Sequence, residues 1–247
     1  YWLMGFFYSL PKNEIWDSFG TLSARLPSAL GSLFLMLMIG DTLFCWPQKG
    51  DRQFLTPIVA SLAFALSPLI IIWSRTAVSD ALLTGTLGIS LLLFWRRMAG
   101  DSNDQCISAW VFLGLAILTK GPVAFVLATL TITSFLISQK DWKTLLCKIN
   151  PKKGFLITIL ISVPWYILEL LKEGKPFWDN FFGYHNFQRY TSVVNNHAEP
   201  FWFFLYIMII ASLPLTPFLY HGIFKAFKDY LKSSKDKVIC NVSETLH

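Results

Sequence analysis

Apolar residues run in long blocks along this chain, and each block is bounded by charged residues or by Pro and Gly. The blocks cover residues 26–46, 54–74, 81–95, 107–119, 122–138, 154–171 and 201–221. A helix needs about 20 apolar residues to cross a bilayer, so each block predicts one membrane-spanning helix. The shorter third and fourth blocks are expected to extend into their polar flanks. Alternation of apolar and polar positions is scarce, which argues against a β-barrel.

The composition places the chain among integral membrane proteins. Of its residues, 54% are hydrophobic and 15% are charged, whereas soluble domains average about 25% charged residues. The 22 Phe and 10 Trp residues suit lipid-facing helices with aromatic belts. We predict an all-α, polytopic helical bundle with about seven transmembrane helices over residues 1–225, followed by a basic cytoplasmic tail over 226–247.

The basic residues predict the orientation of this bundle. The loops 46–53, 96–106 and 139–153 and the tail after 222 carry 14 of the 21 Lys and Arg residues. The positive-inside rule makes these segments cytoplasmic. All four cysteines fall at or beyond the same face, where thiols stay reduced, and their spacing fits no metal site. The net charge of +6 follows from this topology and does not indicate a nucleic-acid partner.

Lys120 interrupts the apolar pattern between two blocks. Gly121 and Pro122 follow it and break the helix, so Lys120 is predicted to end a tight hairpin at a membrane surface. A charge at such a junction costs several kcal/mol unless it reaches water, a headgroup or an anionic partner. Lys120 is therefore a candidate anion-binding residue. The alternative is a lysine that only snorkels to the interface.

Other unexpected polar residues fall on the outer side in this topology. They are Arg75, Asp80 and, within residues 172–200, His185, Arg189 and His197. Phosphate binding is a sufficient reason for the cations. Each residue also has a plainer explanation: Ser79 or Asp80 as a helix cap, the two arginines as anchors to the interface or to lipid phosphates, and His185 as a solvated histidine. The grouping on one face is what indicates a site.

The 172–200 loop is both aromatic and polar. Its apolar positions 177, 178, 181, 182 and 184 are interleaved with polar positions 179, 180, 185, 186 and 189. This pattern predicts an amphipathic helix in the outer interface. His185 and Arg189 are four residues apart and would share the polar face of that helix.

Several motifs occur in an order that resembles a known family. They are Arg25-Leu26-Pro27-Ser28-Ala29-Leu30, Trp73-Ser74-Arg75 followed by Asp80, Gly114-Leu115-Ala116 leading to Thr119-Lys120-Gly121-Pro122, Pro164-Trp165-Tyr166, and the run from Phe182 to Arg189 followed by His197 and Pro200-Phe201-Trp202. Over about residues 1–225 the chain resembles the bacterial aminoarabinose transferase and protein mannosyltransferase group, glycosyltransferase family 39 and its relatives.

The resemblance implies a membrane glycosyltransferase with a partial C-type glycosyltransferase fold, located in the cytoplasmic (inner) membrane of a bacterium. Such enzymes take a sugar from a polyprenyl-phosphate carrier and pass it, outside the cytoplasmic membrane, to a lipid or protein acceptor. The family's catalytic Asp would precede Tyr1. The resemblance therefore leads us to expect an N-terminally truncated piece that lacks this carboxylate.

The resemblance also implies roles for residues that are present. Displacing a lipid phosphate from a sugar needs a base for the acceptor and stabilisation of the departing charge. Lys120, Arg189 and Arg75 suit the phosphate, and Asp80 is expected to hold a cation or to position one of these basic residues. His185 is the expected ligand of a divalent metal ion, the cofactor that the resemblance suggests. His197 follows in the same motif.

Two readings from other classes stay open. A transporter would also gather charges within a bundle, but it should show pseudo-symmetric halves, and no convincing internal repeat is present. A non-catalytic membrane protein is suggested only by the absent carboxylate, which the expected N-terminal truncation explains more simply. The sequence does not name the sugar or the acceptor.

Overall fold

The computed structural model describes residues 2–10, 20–46, 53–100, 103–139, 141–179, 181, 202–225 and 227–228, and within this part of the chain every regular element is helical. The helices are α1 (Trp2–Ser9), α2 (Thr21–Cys45), α3 (Leu55–Ala65), α4 (Pro68–Ser74), α5 (Ser79–Ala99), α6 (Asn103–Lys120), α7 (Pro122–Ile137), α8 (Trp142–Lys148), α9 (Pro151–Glu173) and α10 (Lys175–Phe177). Two further helices cover Phe203–Ala211 and Thr216–Lys225. The all-α prediction is confirmed for these residues.

Each predicted apolar block contains helix, and the third and fourth blocks extend into their flanks as α5 and α6. Within the described residues, α2 and α9 are each long and apolar enough to cross a membrane alone. Two bent pairs, α3 with α4 and Phe203–Ala211 with Thr216–Lys225, are long enough only when each pair is taken as one span. The count of seven crossings stays a prediction.

Two predicted blocks are broken rather than continuous, and proline explains both breaks. Pro68 lacks an N–H group and disfavours the helical conformation of Ser67, so α3 ends at Ala65 and α4 makes a 62° bend with it. Pro214 lies in the break between Phe203–Ala211 and Thr216–Lys225, which are bent by 114°. Hydropathy alone does not show these breaks, because the residues around each proline are uncharged and mostly apolar.

The described residues form two compact units. The first contains residues 1–66 and 70–199, and the second contains residues 67–69 and 200–247. In the second unit the Thr216 hydroxyl donates to the Ile209 carbonyl at 2.8 Å and satisfies a backbone acceptor close to the Pro214 break. The tail predicted for residues 226–247 lies almost wholly outside the described residues.

The core of the first unit lies where α5 packs between α2 and α6. Phe94 of α5 is fully buried and meets the Trp110 ring of α6 edge to face, with centroids 4.8 Å apart. Large apolar side chains point outward elsewhere: Ile137 is 79% exposed and Leu171 is 78% exposed. Outward-facing leucines and isoleucines on apolar helices are what a lipid-embedded surface requires.

Small residues let α2 and α5 approach closely. A Cβ atom added at Gly85 would lie 2.5 Å from the Gly31 carbonyl oxygen, so Gly85 has no room for a side chain, and a Cβ atom added at Gly31 would be crowded at 3.2 Å by the Leu82 backbone. Close backbone approach at small residues is a common way for membrane helices to pack. This crossing lies about one and a half turns inside the N-terminus of α5, and it fixes that end of the helix.

Candidate site at the α5–α6 end

Asp80 and Lys120 form an ion pair at one end of the bundle. Asp80 lies in the first turn of α5 and Lys120 is the last residue of α6. The two helices run antiparallel, because Ser90, further along α5 than Asp80, donates at 2.8 Å to the carbonyl of Ala109, which precedes Lys120 in α6. Each charge is placed where the helix dipole favours it, the anion at an N-terminus and the cation at a C-terminus.

The pair remains accessible. The Lys120 side chain is 40% exposed and the Asp80 side chain is 30% exposed. Such a pair contributes little to stability because water screens it. Its geometry instead holds the Lys120 ammonium group at the open end of the α5–α6 hairpin, where an anion can reach it.

The turn after Lys120 has the tight form that the sequence predicts. Gly121 adopts φ 78° and ψ −155°, a backbone conformation that is essentially restricted to glycine. Its amide donates to the Ile117 carbonyl at 2.7 Å, and Pro122 begins α7 in the first-turn position that tolerates proline. Lys120 is therefore fixed by a turn that few other residue pairs could form.

Asp80 is held by the packing of its helix and does not cap it. The residue that precedes α5 is Val78, in an extended conformation, and the helix has no side-chain cap. The predicted capping role of Ser79 or Asp80 is therefore wrong. Instead, the Ser28 hydroxyl of α2 donates to the Val78 carbonyl at 2.9 Å and ties the start of α5 to α2. The Asp80 carboxylate is thereby left to pair with Lys120.

Tyr166 of α9 also reaches this turn. Its hydroxyl donates to the Ile117 carbonyl at 2.7 Å, one helical turn before Lys120. In the sequence, Tyr166 stands out only as part of the Pro164-Trp165-Tyr166 motif. A hydrogen bond from a side chain to a backbone carbonyl in a distant helix leaves no spacing pattern that could have revealed it.

α6 and α9 run parallel, and this places the start of the 172–200 loop. Thr158 donates to the Trp110 carbonyl at 3.1 Å, whereas Tyr166, further along α9, reaches Ile117, further along α6. The C-terminal end of α9 therefore lies at the Lys120 end of α6. The loop that follows α9 begins there, as the predicted topology requires.

The remaining predicted site residues are less constrained by the structure. Arg75 is exposed on the connection between α4 and α5, and its guanidinium has no hydrogen bond or ion pair with other described residues. Arg189, His185 and His197 lie outside the described residues, as does most of the predicted amphipathic helix. Of that helix, the structure describes α10 and a helical continuation at residues 178, 179 and 181.

The opposite end of α5 holds a separate polar cluster. Arg96 is buried and pairs with Asp41 of α2 at 2.6 Å. Arg97 donates to the Lys148 carbonyl at 3.0 Å, and Lys148 donates to the Met98 carbonyl at 3.2 Å. Asp80 and Arg96 are 16 residues apart, or roughly 24 Å along the helix axis. The residues predicted to face in and out thus occupy opposite ends of α5.

The fold is shared with two solved structures. It matches the crystal structure of ArnT from Cupriavidus metallidurans bound to undecaprenyl phosphate with a TM-score of 0.79 at 23% identity, covering 92% of this chain and 40% of that one. The apo form of the same protein matches with a TM-score of 0.72 at 22% identity, over 87% of this chain and 37% of that one.

The chain belongs to the dolichyl-phosphate-mannose-protein mannosyltransferase family, whose sequence model matches residues 1–168. Among curated relatives, the undecaprenyl phosphate-alpha-4-amino-4-deoxy-L-arabinose arabinosyl transferase of Edwardsiella ictaluri is 29% identical over 79% of this chain and 34% of its own length. A protein of the same name from Pseudomonas fluorescens is 26% identical over 95% of this chain and 41% of its own length. The chain thus spans about a third to two fifths of these relatives, and the resemblance drawn from its motifs is confirmed.

Proposed function

We propose that this chain is the carrier-phosphate-binding part of a membrane glycosyltransferase that moves a sugar, for which a pentose fits best, from undecaprenyl phosphate to a lipid or protein acceptor. Family membership supports the reaction type. The names of the curated relatives support the carrier and the pentosyl group. The observation that carries the proposal for the site is the accessible Lys120 ammonium group, held by Asp80 at the end of two helices.

The chemistry requires a cation at the departing phosphate. The bond between the anomeric carbon and the phosphate oxygen breaks, the acceptor forms a new bond to that carbon, and a base takes the acceptor's proton. The carrier leaves as a phosphate monoester with one more negative charge than the donor phosphodiester carried. A positioned ammonium group stabilises this developing charge. Each charge-assisted hydrogen bond of this kind contributes about 1.5–3 kcal/mol.

Asp80 fits the role of a positioning group. Its carboxylate pairs with Lys120, so a lysine at an apolar junction has a partner and a defined direction. A phosphate that arrives at the exposed part of the ammonium group can share the cation with Asp80. Arg75 and Arg189 are proposed as further phosphate contacts, and the acceptor's base is expected outside the described residues.

The described residues do not by themselves make a metal site. They contain no group of three or more His, Cys, Asp or Glu side chains that could hold an ion, and the Asp80 carboxylate already faces a lysine ammonium group. A divalent metal bound through His185 therefore remains a proposal from the resemblance. The proposed roles of Lys120 and Asp80 do not depend on such a metal.

The proposed location is the cytoplasmic membrane of a bacterium, with the Lys120 end of the bundle facing outward. The excess of basic residues in the loops at the other end supports this orientation. The position of the 172–200 loop, which begins at the Lys120 end, is compatible with it. An outward site would meet carrier lipids that have already been moved across the membrane.

A transfer assay tests the function. The product of the complete gene would be reconstituted with an undecaprenyl-phosphate-linked, radiolabelled aminopentose and bacterial membrane acceptors, and the label in lipid and protein fractions would be counted. A nucleotide-linked form of the same sugar serves as the control donor. We expect transfer from the lipid-linked donor alone. Transfer from the nucleotide sugar, or movement of intact lipid without cleavage, would refute the assignment.

A further inference from the structure

The Ile117 carbonyl accepts two hydrogen bonds. One comes from the Gly121 amide at 2.7 Å and the other from the Tyr166 hydroxyl at 2.7 Å. A carbonyl oxygen has two lone pairs, so the tyrosine adds a second bond, from a neighbouring helix, to a carbonyl that already has its partner four residues along. Here the bond fixes the turn that ends in Lys120.

Tyr166 is itself held by aromatic contacts. Its ring lies 4.8 Å from the Trp165 ring and 5.4 Å from the Phe181 ring, centroid to centroid. Phe181 belongs to the start of the 172–200 loop, and it stacks on Phe177 of α10 at 5.3 Å. The tyrosine thus connects the start of this loop, on one side, with the backbone of the Lys120 turn on the other.

We propose that Tyr166 is a positioning residue that acts through Lys120, keeping the ammonium group where it meets the carrier phosphate. This inference rests on the proposed function of Lys120. Without the Tyr166 hydroxyl, the Ile117 carbonyl accepts only the bond from the Gly121 amide. The last turn of α6 is then held less firmly, and the position of the Lys120 ammonium group is less defined. The ring contacts with Trp165 and Phe181 do not need the hydroxyl and survive its removal.

The variant Tyr166→Phe isolates the hydroxyl. The matched control is Thr158→Val. It removes another hydroxyl that joins α9 to α6, but this one donates to the Trp110 carbonyl, which is buried and far from the Lys120 turn. Both variants would be made in the product of the complete gene and placed in lipid nanodiscs. Binding of undecaprenyl phosphate and amide hydrogen exchange of a peptide spanning residues 118–124 would be measured.

We expect Tyr166→Phe to weaken binding of undecaprenyl phosphate by about 3–10-fold, the range that loss of one neutral hydrogen bond allows, and to speed exchange of the 118–124 peptide. Thr158→Val should leave both quantities near wild type even if it lowers the melting temperature. In a Lys120→Met background, Tyr166→Phe should have no further effect on binding, because the two substitutions act on one interaction.

Two outcomes would overturn the inference. One is unchanged exchange of the 118–124 peptide in Tyr166→Phe, and the other is an equal loss of binding in the Lys120→Met background. Wild-type binding by Lys120→Met alone would instead refute the phosphate contact of Lys120. In that case the hydrogen exchange would still decide whether Tyr166 holds the turn.

Discussion

At the residue scale, the charge on Lys120 is matched to its surroundings in two ways. The C-terminal position in α6 favours a cation by about 0.3–1 kcal/mol, and the Asp80 carboxylate supplies a counter-charge. Because both side chains are partly exposed, the pair adds at most about 1 kcal/mol to folding. The arrangement is better explained by the direction that it gives to the ammonium group.

Gly121 allows a direct test of this local geometry. Gly121→Ala forces a side chain into a backbone conformation that costs about 1–3 kcal/mol for other residues, so we expect a lower melting temperature and weaker binding of undecaprenyl phosphate. Gly222→Ala is the control, since Gly222 lies in a helix and a Cβ atom there meets nothing within 4 Å. Thermal unfolding in detergent measures both variants. Equal melting temperatures for the two would contradict the geometry described here.

The residues that the sequence revealed are those whose chemistry conflicts with their neighbours. Lys120, Gly121 and Pro122 stand out in an apolar stretch, and the structure places them in the predicted turn. The sequence does not predict that Lys120 pairs with Asp80, because 40 residues separate them. Arg75 and Arg189 were equally possible partners for the Asp80 carboxylate. Tyr166 was missed because its partner is a backbone carbonyl.

At the element scale, the site depends on how α2 meets α5. The Ser28 hydroxyl and the close approach of Gly31 to Gly85 hold the N-terminal part of α5, and with it Asp80. The pattern of apolar blocks predicted these helices, but not which of their faces touch. Likewise the prolines at 68 and 214 were visible in the sequence, yet continuous hydropathy across them favoured single spans.

Two glycines on α5 face different parts of α2: Gly85 faces the backbone of Gly31, and Gly88 faces the side chain of Leu35. Substituting each one therefore tests a different kind of contact. Gly85→Ala would place a Cβ atom 2.5 Å from the Gly31 carbonyl oxygen, which cannot move without shifting α2. Gly88→Ala would meet the two Cδ methyl groups of the buried Leu35 side chain at 2.8 Å, and a side chain can change rotamer within the core without shifting the backbone of α2. We expect Gly85→Ala to destabilise the protein by about 1–3 kcal/mol and Gly88→Ala to cost clearly less.

Thermal unfolding and resistance to trypsin would rank these two variants. If Gly88→Ala proves as damaging as Gly85→Ala, the α2–α5 crossing is not set by backbone contact at Gly31, and Asp80 must be held in another way.

At the scale of the whole molecule, α5 carries polar residues at both ends of an apolar stretch. Its 21 residues span about 31 Å, and the stretch from Asp80 to Arg96 spans roughly 24 Å, somewhat less than the roughly 30 Å of a bilayer's hydrocarbon core. One end carries the Asp80–Lys120 pair and the other carries Arg96 and Arg97 with α8. The sequence predicted this division from charge counts alone. The sequence does not predict which contacts fix each end of α5, because these contacts depend on how the helices pack.

The most direct test of this account is the affinity of the protein for undecaprenyl phosphate with and without the Lys120 ammonium group. The product of the complete gene would be compared with Lys120→Met and with Lys143→Met, a control that removes an exposed lysine from α8 at the other end of the bundle. Loss of one charge-assisted hydrogen bond predicts roughly 10–100-fold weaker binding for Lys120→Met and unchanged binding for Lys143→Met. Wild-type affinity in a folded Lys120→Met protein would contradict the account.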